Sequence, residues 1–113
     1  MKLANLNTWV KNTDKPLVIA GPCSAESEEQ LHTTAKALAQ LPQVAMLRAG
    51  IWKPRTRPGE FEGLGEKALP WLVDAAKAND LPSTAEIANA KHAELALKAG
   101  VDVPHQPNWQ IAV

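Results

Sequence analysis

The fold of this chain is decided by the stretch Val44-Ala45-Met46-Leu47-Arg48-Ala49-Gly50. It begins with four consecutive apolar residues shortly after Pro42. A short apolar run of this kind is typical of a strand that is buried on both faces. Arg48 stands at the carboxyl end of the run. The sequence therefore predicts a buried strand that brings a cation to one edge of a sheet.

The segment after this strand has the composition of a phosphate-binding loop. Arginine presents a planar fork of donors that matches phosphate oxygens, and lysine adds a compact point charge. A solvated basic loop is the alternative interpretation, because charged clusters usually lie on the surface. In addition to Arg48, the loop carries a hydroxyl and three cations, on Lys53, Arg55, Thr56 and Arg57.

Apolar runs and helical patterns alternate on both sides of this strand. Ser27 and Gln30 have the spacing of a capping box at the start of a helix, and Asn89 is suited to cap a later one. Gly100 fits the end of that later helix. The predicted elements are a strand over residues 16–22, a helix over 27–40, a strand over 44–47, a helix that buries Leu69, Leu72, Val73 and Ala76, a weaker strand over 81–87, a helix over 89–100 and a strand from residue 101.

This alternation with short connections indicates a parallel sheet built from right-handed crossovers, which is an α/β fold. Two architectures satisfy the pattern: a doubly wound open sheet, and a segment of a (β/α)8 barrel, which needs roughly 250 residues when complete. The length of 113 residues favours the open sheet. In both architectures, functional residues lie at the carboxyl ends of the strands, where Gly21-Pro22-Cys23-Ser24 and Arg48 fall.

Composition and charge narrow the class of protein. The chain is 45% hydrophobic, with 12 basic and 12 acidic side chains and one cysteine, as expected of one globular domain. The balanced charge gives no reason to expect a nucleic-acid partner, and no window reaches the ~18 apolar residues of a membrane span. The N-terminus lacks the apolar core of a signal peptide, and one cysteine excludes an internal disulfide framework. These features predict a cytoplasmic protein that binds neither nucleic acid nor membrane.

Three segments together resemble a known enzyme family. They are Gly21-Pro22-Cys23-Ser24-Ala25-Glu26-Ser27, Arg48-Ala49-Gly50-Ile51-Trp52-Lys53-Pro54-Arg55-Thr56 and Phe61-Glu62-Gly63-Leu64-Gly65. Over residues 14–103 the chain is similar to the type I 3-deoxy-D-arabino-heptulosonate 7-phosphate (DAHP) synthases. That family has a (β/α)8 barrel fold. The resemblance therefore replaces the open sheet with parallel β/α units that form roughly the first half of a TIM barrel.

The resemblance implies an enzyme, a transferase that condenses phosphoenolpyruvate with erythrose 4-phosphate. This reaction is the first step of the shikimate pathway, which leads to the aromatic amino acids. The enol carbon attacks the aldehyde, water adds to the neighbouring carbon and phosphate leaves. A divalent metal ion (manganese, iron, cobalt or similar) polarises the aldehyde. Cys23 matches the metal-ligating cysteine of the family.

Five further positions match the substrate-binding residues of the family. Arg48 and Lys53 match positions that hold the phosphate and carboxylate of phosphoenolpyruvate, and they are the implied catalytic residues. Arg55 and Thr56 match the segment that binds erythrose 4-phosphate. Glu86 matches an acidic substrate-site residue after the third strand. The resemblance thus assigns both substrates to the edge already marked by Arg48.

The chain departs from the family pattern at two places. Directly before Glu86 the family usually has threonine, whereas this chain has Ala85, with Thr84 one place earlier. After Val103 the family continues its fourth strand into Gly-Ala-Arg-Thr-Thr, whereas this chain continues with Pro104-His105-Gln106. The second departure marks the end of the recognisable family pattern.

These departures divide the chain into an N-terminal lead-in (residues 1–13), a partial DAHP synthase-like β/α domain (14–103) and a divergent C-terminal tail (104–113). The family's other metal ligands, a histidine, a glutamate and an aspartate, have no match here. Its strand-four arginine and strand-five lysine have none either. We therefore expect a truncated, catalytically impaired protein in which Cys23 holds a metal weakly. His105 is a candidate substitute ligand, but a histidine in a proline-rich tail is usually a polar surface residue.

Two other functions stay open at this point. The first is a non-catalytic half-barrel that binds a phosphorylated ligand or regulates another protein, and the second is an inert gene remnant. Half a barrel also leaves open sheet edges and an uncovered apolar interior. Both features promote pairing with another chain, so the sequence predicts self-association.

Overall fold

The computed structural model describes residues 18–52 and 64–105. Four strands and three α-helices alternate along these residues, so every predicted element is present. The elements are β1 Val18–Ala20, α1 Glu28–Leu38, β2 Val44–Ala49, α2 Leu69–Ala78, β3 Ser83–Glu86, α3 Ala90–Ala99 and β4 Val103–His105, with a 3-10 turn over Gly65–Ala68 that leads into α2.

The four strands are parallel and lie in the order β1-β2-β3-β4. The helices share one hydrophobic core, in which α1 packs against α2 and α2 against α3. A doubly wound sheet reverses its strand order and carries helices on both faces. Sequential strand order with neighbouring helices on one side is instead the arrangement of a barrel. The described residues therefore form a segment of a (β/α)8 barrel and not the open sheet that length favoured.

The predicted apolar stripe of α2 lies in the core. Leu69 and Leu72 are fully buried, and Val73 and Ala76 are nearly so. Burying a leucine side chain contributes about 1.5–3 kcal/mol, so this stripe is a main source of the packing energy. Pro70 lies in the first turn of α2, where its missing N–H group costs no helical hydrogen bond.

Two side-chain caps start helices α1 and α3 as predicted. Ser27 Oγ accepts from the backbone N–H of Gln30 at 3.0 Å, and Asn89 Oδ1 caps α3 in the same way. The capping box of α1 is not reciprocal. Gln30 Oε1 accepts from the N–H of Glu26 at 2.8 Å, and Gln30 Nε2 donates to the carbonyl of Ser24 at 3.1 Å. Gln30 therefore fixes the segment between β1 and α1 to the helix.

The burial of β1 differs from the prediction. Val18 is 37% exposed and Ile19 is 51% exposed. The prediction that this strand is buried on both faces is therefore wrong for the described residues. β1 is an end strand in the observed order, and Ile19 pairs with Met46 on the face away from the helical core. No helix or strand of the described ranges covers Ile19 on that face.

β4 extends further than the sequence pattern suggested. It includes Pro104 and His105, the first two residues of the segment assigned to the tail. Proline is tolerated because β4 is also an end strand within the described sheet, where one row of N–H groups has no ladder to join. The backbone N–H of Ile87 donates to the carbonyl of His105 at 2.7 Å and extends the pairing of β4 with β3.

The helices of the described ranges are short. The longest, α1, has 11 residues. A membrane-spanning helix needs about 20 apolar residues, and no helix within residues 18–52 and 64–105 has the length and apolar character to cross a bilayer.

Candidate active site

The carboxyl ends of three neighbouring strands meet at one edge of the sheet. β1 is followed by Gly21-Pro22-Cys23-Ser24, Arg48 is the penultimate residue of β2, and Glu86 is the last residue of β3. Because the strands are parallel and adjacent, residues far apart in sequence become neighbours here. This is the edge at which barrels and open α/β sheets bind their ligands.

Gly21 allows the chain after β1 to pass directly against β2. A Cβ atom on Gly21 would lie 1.6 Å from the backbone oxygen of Arg48, far inside contact distance. Two backbone hydrogen bonds connect the segment after β1 to Gly50, directly after β2. Ala25 donates to the carbonyl of Gly50 at 2.9 Å, and Gly50 donates to the carbonyl of Pro22 at 3.4 Å. The segment after β1 is therefore held against the end of β2.

The guanidinium of Arg48 is held at three points. Its Nε and Nη2 atoms donate to Glu86 Oε1 at 2.9 and 2.6 Å, and Nη1 donates to the carbonyl oxygen of Pro22 at 3.1 Å. The side chains of Arg48 and Glu86 are 20% and 25% exposed, so solvent screens this ion pair less than one on the open surface. One arginine thus joins the ends of all three strands.

Part of the donor capacity of Arg48 is not used by these contacts. Arginine has five N–H donors, and the three bonds within the described residues leave one N–H on each Nη nitrogen. Two donors on neighbouring nitrogens of one plane match two oxygens of a phosphate or carboxylate. The arrangement of Arg48 is therefore suited to bind an anion while Glu86 fixes its position.

A second polar group lies on β3 and β4. Thr84 pairs in register with Arg48, and Glu86 pairs with His105, so these four residues share one face of the sheet. Thr84 Oγ1 is hydrogen-bonded to the carbonyl of Val103 and lies 2.7 Å from His105 Nδ1. The sequence interpretation assigned His105 to a polar tail, whereas the structure places it in β4 beside Glu86. The period-two spacing of Thr84 and Glu86 was the signal that could have identified this face.

The departure at Ala85 lies away from this edge. Ala85 is fully buried and belongs to the core that contains the helices. It therefore faces the opposite side of the sheet from Thr84 and Glu86, because successive side chains in a strand alternate. A threonine at position 85 would change the packing against the helices and not the polar face that carries Glu86.

Cys23 is exposed in the segment after β1. Stable binding of a divalent metal requires several ligands arranged around one point. Within residues 18–52 and 64–105, no three side chains among His, Cys, Asp and Glu are placed to hold an ion together. The described residues, Cys23 among them, therefore do not form a metal site by themselves.

The stack of Trp52 on His92 fixes the start of the basic loop. The two ring centroids are 4.0 Å apart and the planes are within 4° of parallel. His92 Nδ1 accepts from the backbone N–H of Ala88 at 3.2 Å, and burial lowers the pKa of His92. The chain entering the loop is thus attached to the start of α3. The three loop residues of the predicted site lie outside the described residues: Lys53, Arg55 and Thr56.

Comparison with known proteins gives one consistent result. The model of the DAHP synthetase I family matches residues 3–102. A phospho-2-dehydro-3-deoxyheptonate aldolase of Thermotoga maritima is 43% identical, and the match covers 74% of this chain and 30% of that protein. The family match thus includes β1, β2 and β3 and ends one residue before β4, and it reaches further toward the N-terminus than the motifs that carry the resemblance.

Two solved structures share the fold. The crystal structure of phospho-2-dehydro-3-deoxyheptonate aldolase (DAHP synthase) from Thermotoga maritima has 34% identity and a TM-score of 0.70 over 83% of this chain and 26% of that one. A truncated form of 3-deoxy-D-arabino-heptulosonate 7-phosphate synthase from the same organism has 34% identity and a TM-score of 0.64 over 80% of this chain and 31% of that one. The chain spans less than a third of the length of each relative. Matched along most of its length, this chain belongs to the DAHP synthetase I family.

Proposed function

We propose that this chain contributes the phosphoenolpyruvate-binding part of a DAHP synthase site. In the proposed reaction, carbon 3 of phosphoenolpyruvate bonds to the aldehyde carbon of erythrose 4-phosphate. Water then adds to carbon 2, and the bond from carbon 2 to the phosphate oxygen breaks to release inorganic phosphate. The observation that carries the proposal is the guanidinium of Arg48, which Glu86 and the carbonyl of Pro22 hold at the carboxyl edge of the sheet.

Arg48 binds the phosphate or the carboxylate of phosphoenolpyruvate in this proposal. Two of its N–H groups remain for ligand oxygens, and its immobilised side chain loses little further conformational entropy on binding. Glu86 acts on the substrate through Arg48, because its carboxylate fixes the guanidinium at 2.6 and 2.9 Å. A fixed arginine fork selects planar or tetrahedral anions by geometry as well as by charge.

The basic loop completes the proposed substrate site. Lys53 adds a second cation for phosphoenolpyruvate, and Arg55 with Thr56 binds the phosphate end of erythrose 4-phosphate. The family motif at these positions supports the assignment. So does the attachment of Trp52, which anchors the loop entrance beside the strand ends. The two substrates would then lie side by side at one edge.

A divalent metal in this site would use Cys23 as one ligand. The exposed position of Cys23 in the segment held against β2 supports this role. When bound, the ion polarises the aldehyde of erythrose 4-phosphate. Part of its coordination sphere would come from outside residues 18–52 and 64–105, because no three of the described His, Cys, Asp and Glu side chains are grouped to hold an ion.

The proposal is tested by calorimetric titration of phosphoenolpyruvate into the chain and three variants. Arg48→Met removes the fork, Arg48→Lys keeps the charge without it, and Lys36→Met removes a cation on α1 as the matched control. Loss of a charge-assisted bond of about 1.5–3 kcal/mol weakens binding roughly 10- to 150-fold. We expect that loss for Arg48→Met, a smaller one for Arg48→Lys and none for Lys36→Met. Equal affinities of the folded Arg48→Met and Lys36→Met chains would refute the assignment.

Binding without turnover is a second candidate function. It is favoured by what the described residues contain: Glu86 and Pro22 hold the guanidinium of Arg48 in place for an anion, whereas no three described side chains are grouped to hold a metal ion. Mixing the chain with both substrates and manganese, and following the loss of phosphoenolpyruvate, separates the two functions. Turnover that disappears in Cys23→Ala supports the synthase reaction. Metal-independent binding without turnover supports the second candidate.

We also propose that the chain self-associates through β1. The exposed Val18 and Ile19 form an apolar end strand whose ladder is open on one side within the described sheet. Light scattering coupled to gel filtration should give a dimer or a larger species. Ile19→Lys should shift it toward monomer, whereas Leu97→Lys, at an exposed leucine on α3, should not. A monomer at all concentrations would contradict the proposal.

A further inference from the structure

The hydrogen bonds of Thr84 determine which nitrogen of His105 carries the proton. Thr84 has one hydroxyl proton, and the carbonyl of Val103 can only accept, so that proton is directed to Val103. Thr84 Oγ1 must then accept from His105 Nδ1, which lies 2.7 Å away. In the neutral ring this places the proton on Nδ1 and leaves the lone pair on Nε2.

The Nε2 atom of His105 lies on the same face of the sheet as Arg48. It makes no hydrogen bond to the described residues, and the side chain is only partly buried. Glu86 is its register partner on β3, and Arg48 on β2 is bonded to that carboxylate. Helix α3 packs against β4 as part of the helical core on the opposite side. Among residues 18–52 and 64–105, the charged groups on the face of His105 are therefore Glu86 and Arg48.

We propose that His105 is a further anion-binding residue of this site, which takes up a proton when the phosphate or carboxylate of an enolpyruvate-type ligand binds. The inference rests on the proposed function, because it requires a ligand beside Arg48. The proton comes from solvent and adds to Nε2, while Nδ1 keeps its proton and its bond to Thr84. The imidazolium then donates from Nδ1 to Thr84 and from Nε2 to a ligand oxygen.

The first test reads the tautomer directly, before any ligand is added. Long-range proton–nitrogen NMR spectra at about pH 8, where histidines are mostly neutral, assign the protonated ring nitrogen. We expect the Nδ1–H form for His105. His92 is the internal control and should show the opposite form, because its Nδ1 accepts from the N–H of Ala88. Thr84→Val should abolish the preference of His105, and Thr84→Ser should keep it. An Nε2–H form for His105 in the unchanged chain would overturn the inference.

The second test adds phosphoenolpyruvate at about pH 7.5, above the ordinary range of histidine titration. Saturation should move His105 Nε2 to the nitrogen shift of a protonated ring. Calorimetry in two buffers of different ionisation enthalpy should show net proton uptake that is lost in His105→Gln. Between about pH 8 and pH 6, the affinity of the unchanged chain relative to His105→Gln should rise several-fold. Dividing the affinity of the unchanged chain by that of His105→Gln cancels the effect of the ligand's own protonation, which is the same for both chains.

The outcomes separate the inference from the proposed function. Binding that depends on Arg48 but leaves His105 Nε2 unprotonated overturns the role of His105 and leaves the proposed function intact. If neither Arg48→Met nor His105→Gln changes the affinity for phosphoenolpyruvate, the inference and the proposed function are both overturned. Proton uptake that is lost in His105→Gln and reduced in Thr84→Val supports the inference.

Discussion

Gly21→Ala tests whether the close approach of β1 and β2 holds the candidate site together. The added Cβ would lie 1.6 Å from the oxygen and 2.7 Å from the carbonyl carbon of Arg48. Ordinary contact begins near 3.4 Å, so the strand ends would have to separate by about 1.8 Å, and backbone atoms cannot rotate away as a side chain can. Overpacking costs about 1–3 kcal/mol, and losing the bond from Arg48 to Pro22 adds about 1.5–3 kcal/mol. We expect a loss of about 2.5–6 kcal/mol in the free energy of unfolding.

Urea unfolding followed by circular dichroism measures this loss. Gly100→Ala is the matched control, because its Cβ would meet only Val73 Cγ1 at 3.5 Å. Gly100 has a φ of +100°, so alanine there costs about 1–2 kcal/mol of backbone strain. We expect Gly21→Ala to be the more destabilising of the two, by roughly 3 kcal/mol at the middle of the two ranges. If the two variants lost equal stability, the strand ends would not be locked together as described.

Three further predictions concern local contacts. Asn89→Ala and Ser27→Ala should each lower the free energy of unfolding by about 1 kcal/mol, because each removes a helix cap, and thermal denaturation would show whether either cap is dispensable. Asp102→Ala should cost about 1–3 kcal/mol, because the carboxylate accepts from the buried N–H of Ser83 at 2.9 Å; Asp102→Asn keeps an acceptor and should cost less. Burial lowers the pKa of His92 from 6.5, so the unfolded chain binds this proton more tightly and stability should fall as the pH drops through 6.5. In His92→Phe, which keeps a stacked ring, the urea midpoint should depend less on pH over that range, and an unchanged dependence would contradict the assignment.

Local patterns were enough to predict most of the secondary structure. The caps at Ser27 and Asn89 and the stripe from Leu69 to Ala76 depend on residues a few positions apart, and the structure contains all of them. The burial of β1 was not predictable in this way. An apolar run shows that a strand can be buried, whereas its exposure depends on which neighbours the sheet supplies.

The candidate site was predictable only as a set of strand ends. The strand pattern brought Cys23 and Arg48 to one edge, because parallel strands end together, and the family resemblance added Glu86. It did not predict that Glu86 and the carbonyl of Pro22 hold Arg48, since these bonds depend on strand register. The same register places His105 beside Glu86, although its proline-rich context suggested a surface residue.

The proposed function requires that Arg48, fixed by Glu86, binds phosphoenolpyruvate at the carboxyl edge of this sheet. The most direct measurement is the proton–nitrogen NMR signal of the Arg48 Nε–H group during titration with phosphoenolpyruvate, assigned by its absence in Arg48→Lys. We expect a signal that Glu86 protects from solvent exchange and that shifts with the same dissociation constant as calorimetry gives. Saturation with phosphoenolpyruvate that leaves this signal unmoved, while signals elsewhere in the chain shift, would contradict the claim.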